Sequence, residues 1–255
     1  MSQSVERFTS RVETYAKYRP GYPAEILELL RRECDLTPDS IVADIGSGTG
    51  KLTELLLANG CVVFGVEPNG PMRAFAENLF KDQPNFRSVD GSAESTTLPD
   101  TSVDLITAGQ AFHWFEPLKT RDEWVRILKP GGWAALIWNE RELKATPFLN
   151  DYENLLLEFG TDYKEVRHEN AEPGIEKFFA PDDFALRSFP NTQIFDFEGL
   201  RGRVRSSSYT PEPDHPKFEP MMRLLKTLFD KHEENGYVHF DYETRVFYGH
   251  LSTTS

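Results

Sequence analysis

The chain reads as an α/β protein with a doubly wound, seven-stranded, mostly parallel sheet. Two observations predict it. Ile41-Val42-Ala43-Asp44-Ile45 is apolar and β-branched, runs straight into the glycine-rich turn Gly46-Ser47-Gly48-Thr49-Gly50, and is followed by the Leu-rich helical pattern Lys51 to Ala58, stopped by Asn59-Gly60. Further short apolar runs then recur between helical stretches, the alternation that builds a parallel sheet.

The elements follow in order. Residues 5 to 18 read as a helix ahead of the core, and Pro23 opens another to about Cys34, with Ile26, Leu27 and Leu30 on its packed face. After strand one and its helix, Cys61 to Val66 is a second strand, ended by Glu67. A short strand and then a polar turn lie within Asn85 to Glu94, a fourth strand is Val103 to Ala108, and Trp133 to Trp138 is a fifth, after the helix end and turn Trp124 to Gly132. Phe148 to Phe159 is a helix, and 161 to 182, charged and proline-punctuated, a loop or cap segment. Phe184 to Phe197 reads as a sixth strand interrupted near Pro190-Asn191; Leu200 to Ser207 and Phe218 to Lys231 are helices; Tyr237 to Tyr248 closes the sheet. The organisation expected is one domain: a lid over 1–22, a core over 23–140, a cap over 141–236 and a last strand over 237–255.

Composition excludes several classes. The 255 residues carry 28 basic against 41 acidic side chains, a net charge of −13, which repels polyanions and anionic membranes. Neither nucleic acid nor a membrane is the expected partner, although Arg201, Arg203 and Arg205 cluster. No apolar run approaches the roughly 20 residues of a membrane span, and the polar start Met1-Ser2-Gln3-Ser4 lacks a signal core. Cys34 and Cys61 fit no metal spacing and suit a reducing compartment, so the expectation is a cytoplasmic protein without metal, monomeric or homodimeric.

The glycine spacing separates two ligand readings. A dinucleotide fingerprint is G-x-G-x-x-G. Here the third glycine comes one residue early, and Lys51 stands where the last small residue belongs. Glu67, about 20 residues past the glycines at a strand end, is placed to hold ribose hydroxyls. Asn/Asp-Pro-Pro-Tyr is absent after strand four, where Ala108-Gly109-Gln110-Ala111 stands, and neither cysteine follows proline, as a cytosine-C5 nucleophile would.

Asp44-x-Gly-x-Gly-x-Gly, the acid Glu67, the turn Gly91-Ser92-Ala93-Glu94 with Leu98-Pro99, and Leu128-Lys129-Pro130-Gly131-Gly132 come in the order and spacing of class I S-adenosylmethionine-dependent methyltransferases of the type 11 group, which this chain resembles over roughly residues 15 to 140. Ser92 replaces the family's usual Asp. The resemblance implies the last strand antiparallel beside strand five. It implies S-adenosyl-L-methionine as cofactor, S-adenosyl-L-homocysteine as product, and a cofactor site of Asp44, Gly46, Ser47, Gly48, Thr49, Gly50, Glu67, Pro68, Ser92, Ala93 and Gln110. The run Ala111-Phe112-His113-Trp114 is similar to one in trans-aconitate and juvenile hormone acid methyltransferases, which methylate carboxylates of small molecules. Tyr15-x-x-Tyr18-Arg19-Pro20-x-Tyr22-Pro23 and Ser206-x-Ser208-Tyr209-x-Pro211 resemble runs of a small-molecule branch.

From these follow the remaining expectations. Arg19 and Tyr18 hold the cofactor from the lid, Arg19 through its methionine carboxylate. His113 is the candidate base, and Tyr15, His113, Trp114, Trp138, Arg203 and Tyr209 contact the acceptor. That acceptor is a small molecule, with a carboxylate favoured. N- or S-methylation, or cofactor binding without turnover, stand as alternatives.

Overall fold

The computed structural model describes residues 12–163 and 172–252. Its sheet has seven strands: β1 (Ile41–Ile45), β2 (Val62–Val66), β3 (Phe86–Val89), β4 (Val103–Gly109), β5 (Leu128–Arg141), β6 (Phe184–Phe195) and β7 (Val238–His250). They lie in the order β3-β2-β1-β4-β5-β7-β6. The pairs β1–β2, β1–β4, β2–β3 and β4–β5 are parallel, whereas β7 runs antiparallel to both β5 and β6. The last strand is thus inserted beside β5, as expected.

Alternation along the strands explains the layering. On β5, Ala134, Leu136 and Trp138 join one core cluster while Ala135 and Ile137 join another. On β1, Ala43 and Ile45 face the first cluster and Val42 the second. A strand presents successive side chains to opposite faces, so a sheet buried on both sides reads as a continuous apolar run. Helices α2 (Glu25–Glu33) and α3 (Lys51–Ala58) cover one face through Ile26, Leu30, Leu52 and Leu56. Helices α5 (Pro117–Ile127) and α7 (Glu172–Phe179) cover the other through Trp124, Ile127, Phe178 and Phe179. Between β2 and β3 lies α4 (Gly70–Leu79), started by Asn69, whose side chain accepts the Met72 amide, with Pro71 in its first turn.

A third cluster makes the cap. Helices α6 (Pro147–Phe159), α8 (Phe197–Arg205) and α9 (Phe218–His232) pack Leu149, Tyr152, Leu156, Val204, Met221 and Leu225 against the start of β7, at Val238, Phe240 and Tyr242. Helix α1 (Val12–Tyr18) buries no residue of its own and lies on α8. A Cβ on Gly202 would come within 2.3 Å of the Tyr18 ring, so only glycine lets the two helices approach this closely.

Three expectations are corrected. The segment 161–182 contains helix α7, whose Ile175, Phe178 and Phe179 are buried; their short apolar spacing was masked by the charges around it. Strand β6 is not interrupted at Pro190, which pairs with Glu243. β6 is an edge strand, where a residue without an N–H is tolerated. β5 begins at Leu128 rather than Trp133, with a register shift opposite Val103/Leu105 that absorbs the Pro-Gly-Gly turn. Of the helix expected over 5 to 18, residues 5–11 lie outside the described residues, as do 164–171 of the cap segment and 253–255 of the expected closing segment 237–255.

Candidate functional site

The carboxyl ends of β1, β2, β4 and β5 open into one cavity of about 310 Å³, at the point where the strand order reverses between β1 and β4. Its floor is the glycine turn. Gly46, Gly48 and Gly50 have φ of +67°, +57° and +90°, backbone that side-chain-bearing residues rarely adopt. Gly46 additionally sits where a Cβ would lie 2.7 Å from Ala111, so the turn and the segment after β4 close on each other.

Glu67 pins this turn. One carboxylate oxygen accepts the Gly48 amide at 2.9 Å and the other the Asn69 amide at 2.8 Å. Burial pushes its carboxyl up, while these two amides and Arg73 hold it down. Each oxygen keeps a second lone pair for a ligand hydroxyl. Asp44, at the end of β1, is buried and accepts the hydroxyls of Thr53 (2.6 Å) and Thr107 (3.2 Å). Burial dominates there and raises its carboxyl to about 7, with Glu67 adding repulsion and the threonines offsetting part of it.

The segment after β4 carries backbone strain. Gln110 has φ +53°, its amide donates to the Ile137 carbonyl at 2.9 Å, and its side-chain nitrogen to the Asn139 carbonyl at 3.0 Å. That arrangement leaves Gln110 Oε1 buried without a partner among the described residues. Thr49 Oγ1, Arg19 Nε and Arg141 Nε share that condition, and all four residues line the cavity. Buried polar atoms without partners are costly, so four around one cavity mark where a ligand's polar groups belong.

The roof comes from the N-terminal segment and the cap. Asn139 and Asn191 both donate to the Gly21 carbonyl at 3.0 Å, and Arg19 donates to the Ser206 carbonyl at 3.2 Å. The Tyr22 hydroxyl reaches so near Gly109 that a Cβ there would lie 2.4 Å from it. Beneath this roof three guanidiniums line the cavity: Arg19, Arg141 and Arg203. Arg141 pairs with Glu153 and donates to the Tyr163 hydroxyl at 2.7 Å. Arg203 is 4% exposed and donates to Tyr242 Oη at 3.1 Å and Ser207 Oγ at 3.0 Å. Among the described residues neither Arg19 nor Arg203 has a carboxylate partner. Burial, then the charge of Arg203, pushes the Arg19 guanidinium down.

The methyltransferase-domain profile of the type 11 group matches residues 43–136. Over 251 residues the chain is 32% identical to an uncharacterised methyltransferase-like protein of Schizosaccharomyces pombe, covering 95% of this chain and 94% of that one. The chain belongs to this methyltransferase family. A second S. pombe protein, an uncharacterised methyltransferase, is 36% identical over 150 residues, 58% of each chain. The matched part spans little more than half the length of the first curated relatives. In fold, the chain is similar to a protein of Anaeromyxobacter dehalogenans provisionally described as a type II methyltransferase, with a TM-score of 0.63 at 17% identity over 92% of this chain and 98% of that one.

Most residues expected at the site of this methyltransferase fold line the cavity: Asp44, Gly46, Ser47, Gly48, Thr49, Glu67, Pro68, Ser92, Ala93 and Gln110 from the core, Tyr15 and Arg19 from the lid, His113 and Trp114, and Arg203 and Tyr209 from the cap. Three do not. Gly50 is the N-cap of α3 and faces Phe80, whose ring would meet its Cβ at 2.4 Å. Tyr18 turns its ring onto Gly202, and its carbonyl accepts from Gln193 at 3.2 Å; it latches the lid and does not touch the cavity. Trp138 is on the inward face of β5, 6.1 Å from the Phe112 ring and 6.0 Å from Phe247, as the strand's alternation requires.

His113 is exposed, its ring 4.7 Å from Trp114. The same segment is tied to the Ser92–Glu94 turn by the Glu116 amide, which donates to Glu94 at 2.9 Å. Sequence reading missed Tyr22, Asn139, Arg141, Tyr163 and Tyr242. Arg141 had a signal, a charged residue just past an apolar strand at its ligand-bearing end. The two cap tyrosines had none.

Proposed function

We propose that this protein transfers a methyl group from S-adenosyl-L-methionine to a small-molecule acid, at a carboxylate. The observation that carries this reading is that one cavity joins a floor fit for the cofactor to a chamber of buried guanidiniums. The fit of the floor rests on the glycine cradle, the second lone pairs of the Glu67 oxygens, and the Thr49 and Gln110 oxygens that have no partner among the described residues.

In this reading Glu67 takes the two ribose hydroxyls, and the Ser92–Ala93 turn meets the adenine edge. Asp44 and the glycine amides bind the methionine end, and Arg19 reaches its carboxylate from the roof. Bound there, S-adenosylmethionine supplies an activated methyl on a sulfonium, which a nucleophile takes by in-line displacement. The residues have to orient the acceptor, hold it about 3 Å from that carbon and exclude water. A carboxylate arrives already ionised and needs no base, which agrees with an exposed His113. Arg203 and Arg141 supply the donors that hold such an anion.

The test is titration calorimetry with S-adenosylmethionine, S-adenosylhomocysteine, NAD and NADP, followed by a turnover screen of small carboxylic acids. Micromolar binding of the first two alone, with ester formation, is the expected result. Cofactor binding without turnover on acids, amines or thiols would favour a binding domain. Binding of NAD or NADP would refute the assignment.

A further inference from the structure

The cap half of the cavity holds more positive charge than its fixed acids balance. Arg19, Arg141 and Arg203 are buried there in a protein of net charge −13, and among the described residues the one carboxylate in their network is Glu153. Glu153 is committed to Arg141, with the Tyr163 hydroxyl donating to it at 2.5 Å. A buried guanidinium cannot shed its proton to relieve this, since its intrinsic pKa is too high. A negative group facing them relieves this cost whenever the chamber holds no anion.

Tyr163 spends its proton on Glu153. Tyr242 accepts from Arg203 and donates its own proton to Gln193 Oε1 at 3.0 Å. Tyr152 has no partner for its hydroxyl among the described residues, and burial pushes it up. Tyr209 differs. Ser207 Oγ accepts from Arg203 and gives its own hydroxyl hydrogen bond to Tyr209, which makes the Tyr209 oxygen an acceptor. Three guanidiniums from three elements bear on that oxygen: Arg203 from α8, Arg141 from the end of β5, and Arg19 from the lid. Around it stand Tyr15, Tyr152, Tyr163 and Tyr242, with Glu153 the charged acid of the network.

We propose that Tyr209 is the chamber's resident counter-anion and the residue by which the site tells an acid from its methyl ester. The proposal rests on the acid-acceptor reading above. Above the Tyr209 pKa, with the cofactor carboxylate on Arg19 and no acceptor bound, the Tyr209 phenolate balances Arg203. When a carboxylate enters, it takes over that role, and Tyr209 picks up one proton from solvent and donates it as a hydrogen bond to the acceptor. Methyl transfer forms a C–O bond and breaks the C–S bond, whose electron pair stays on sulfur. The ester is neutral and no longer balances Arg203. Tyr209 then returns its proton to solvent, and the regenerated phenolate displaces the product. Although burial opposes ionisation of Tyr209, the three guanidiniums and Ser207 outweigh it and hold its phenol below the usual range.

The sign of the linkage is fixed. Acid binding takes up a proton above the Tyr209 pKa, so acceptor affinity falls up to tenfold per pH unit there.

The test is an ultraviolet titration of tyrosinate absorbance in the full chain, with malonate as the probe anion. One of the nine tyrosines should ionise clearly before the others. That early step should vanish in Tyr209→Phe. Ser207→Ala, which leaves every phenol in place, should shift it upward, and excess malonate should raise it by about one pH unit, a tenfold coupling. No early step, a step that survives in Tyr209→Phe, or one unmoved by malonate overturns the proposal. Calorimetry with S-adenosylhomocysteine on the same samples separates the two readings. Binding without an early step refutes Tyr209 alone. An early step in a protein that does not bind it refutes the methyltransferase reading, and the acid-to-ester role with it.

Discussion

The Gly48 amide donates to Glu67 Oε2 at 2.9 Å across 19 residues of chain, joining the glycine turn to the end of the next strand. Glu67 therefore shapes the turn as well as offering lone pairs to a ligand. Glu67→Ala should weaken S-adenosylmethionine binding at least tenfold, about 1.4 kcal/mol, in calorimetry on a folded variant. Glu67→Gln can still accept from Gly48 but presents one donor in place of an acceptor, and should fall between the two. Unchanged affinity in both variants would remove Glu67 from the ligand site.

Asp44 is a second, opposite case. Its carboxyl is raised from 3.8 to about 7 in the folded protein, so between those pH values the folded state binds a proton the unfolded state has lost. Stability from this group is present below about pH 4 and is lost as pH rises to about 7. Asp44→Asn should therefore be the more stable protein at pH 8, by an amount that shrinks toward pH 4, while binding the cofactor less well. Urea unfolding at pH 5 and pH 8 checks this; a pH-independent difference would contradict it.

The lid seats on the cap through an absent side chain. Gly202→Ala places a methyl 2.3 Å from the Tyr18 ring. Although alanine favours the helix by about 1 kcal/mol, α1 must move, and Arg19 then loses the Ser206 carbonyl. The expected outcome is about tenfold weaker cofactor binding with little loss of melting temperature. Tyr18→Ala added to Gly202→Ala should restore part of the affinity, a coupling that a double-mutant cycle measures.

His113 gives a kinetic discriminator. A base role predicts a fall in turnover of about 10²-fold or more in His113→Ala. Its exposure at the rim predicts a change of only a few-fold, with acid acceptors, in single-turnover rates. The first outcome would require an acceptor that arrives protonated.

Much of this protein was legible in the chain itself. Most strands of the sheet and the floor of the site follow from local patterns: an apolar run, three glycines and an acid at the next strand end. Those are properties of contiguous residues, because a strand's alternation and a turn's φ values are decided within a few peptide units. Helix α7 was obscured for the same reason in reverse, since the charges at 161 to 182 outweigh three buried apolar positions in any local count. Trp138 and Tyr18 were misplaced because the direction a side chain faces depends on which element packs against it.

How the chamber above the floor is assembled belongs to tertiary structure. Arg19, Arg203 and Tyr209 were expected at the site and Arg141 was not, but that the lid, the end of β5 and the cap bring all four to one cavity is not written in any local pattern. Nor does the sequence reveal that two of the guanidiniums lack a carboxylate among the described residues, or that Ser207 is turned by Arg203 toward Tyr209. Sequence by itself determined the fold and the ligand-bearing edge, because hydrophobic burial and backbone geometry are local requirements. Only the folded chain decided the charge balance of the cavity, because Coulomb interactions depend on distance in space and on how much water the surrounding elements exclude.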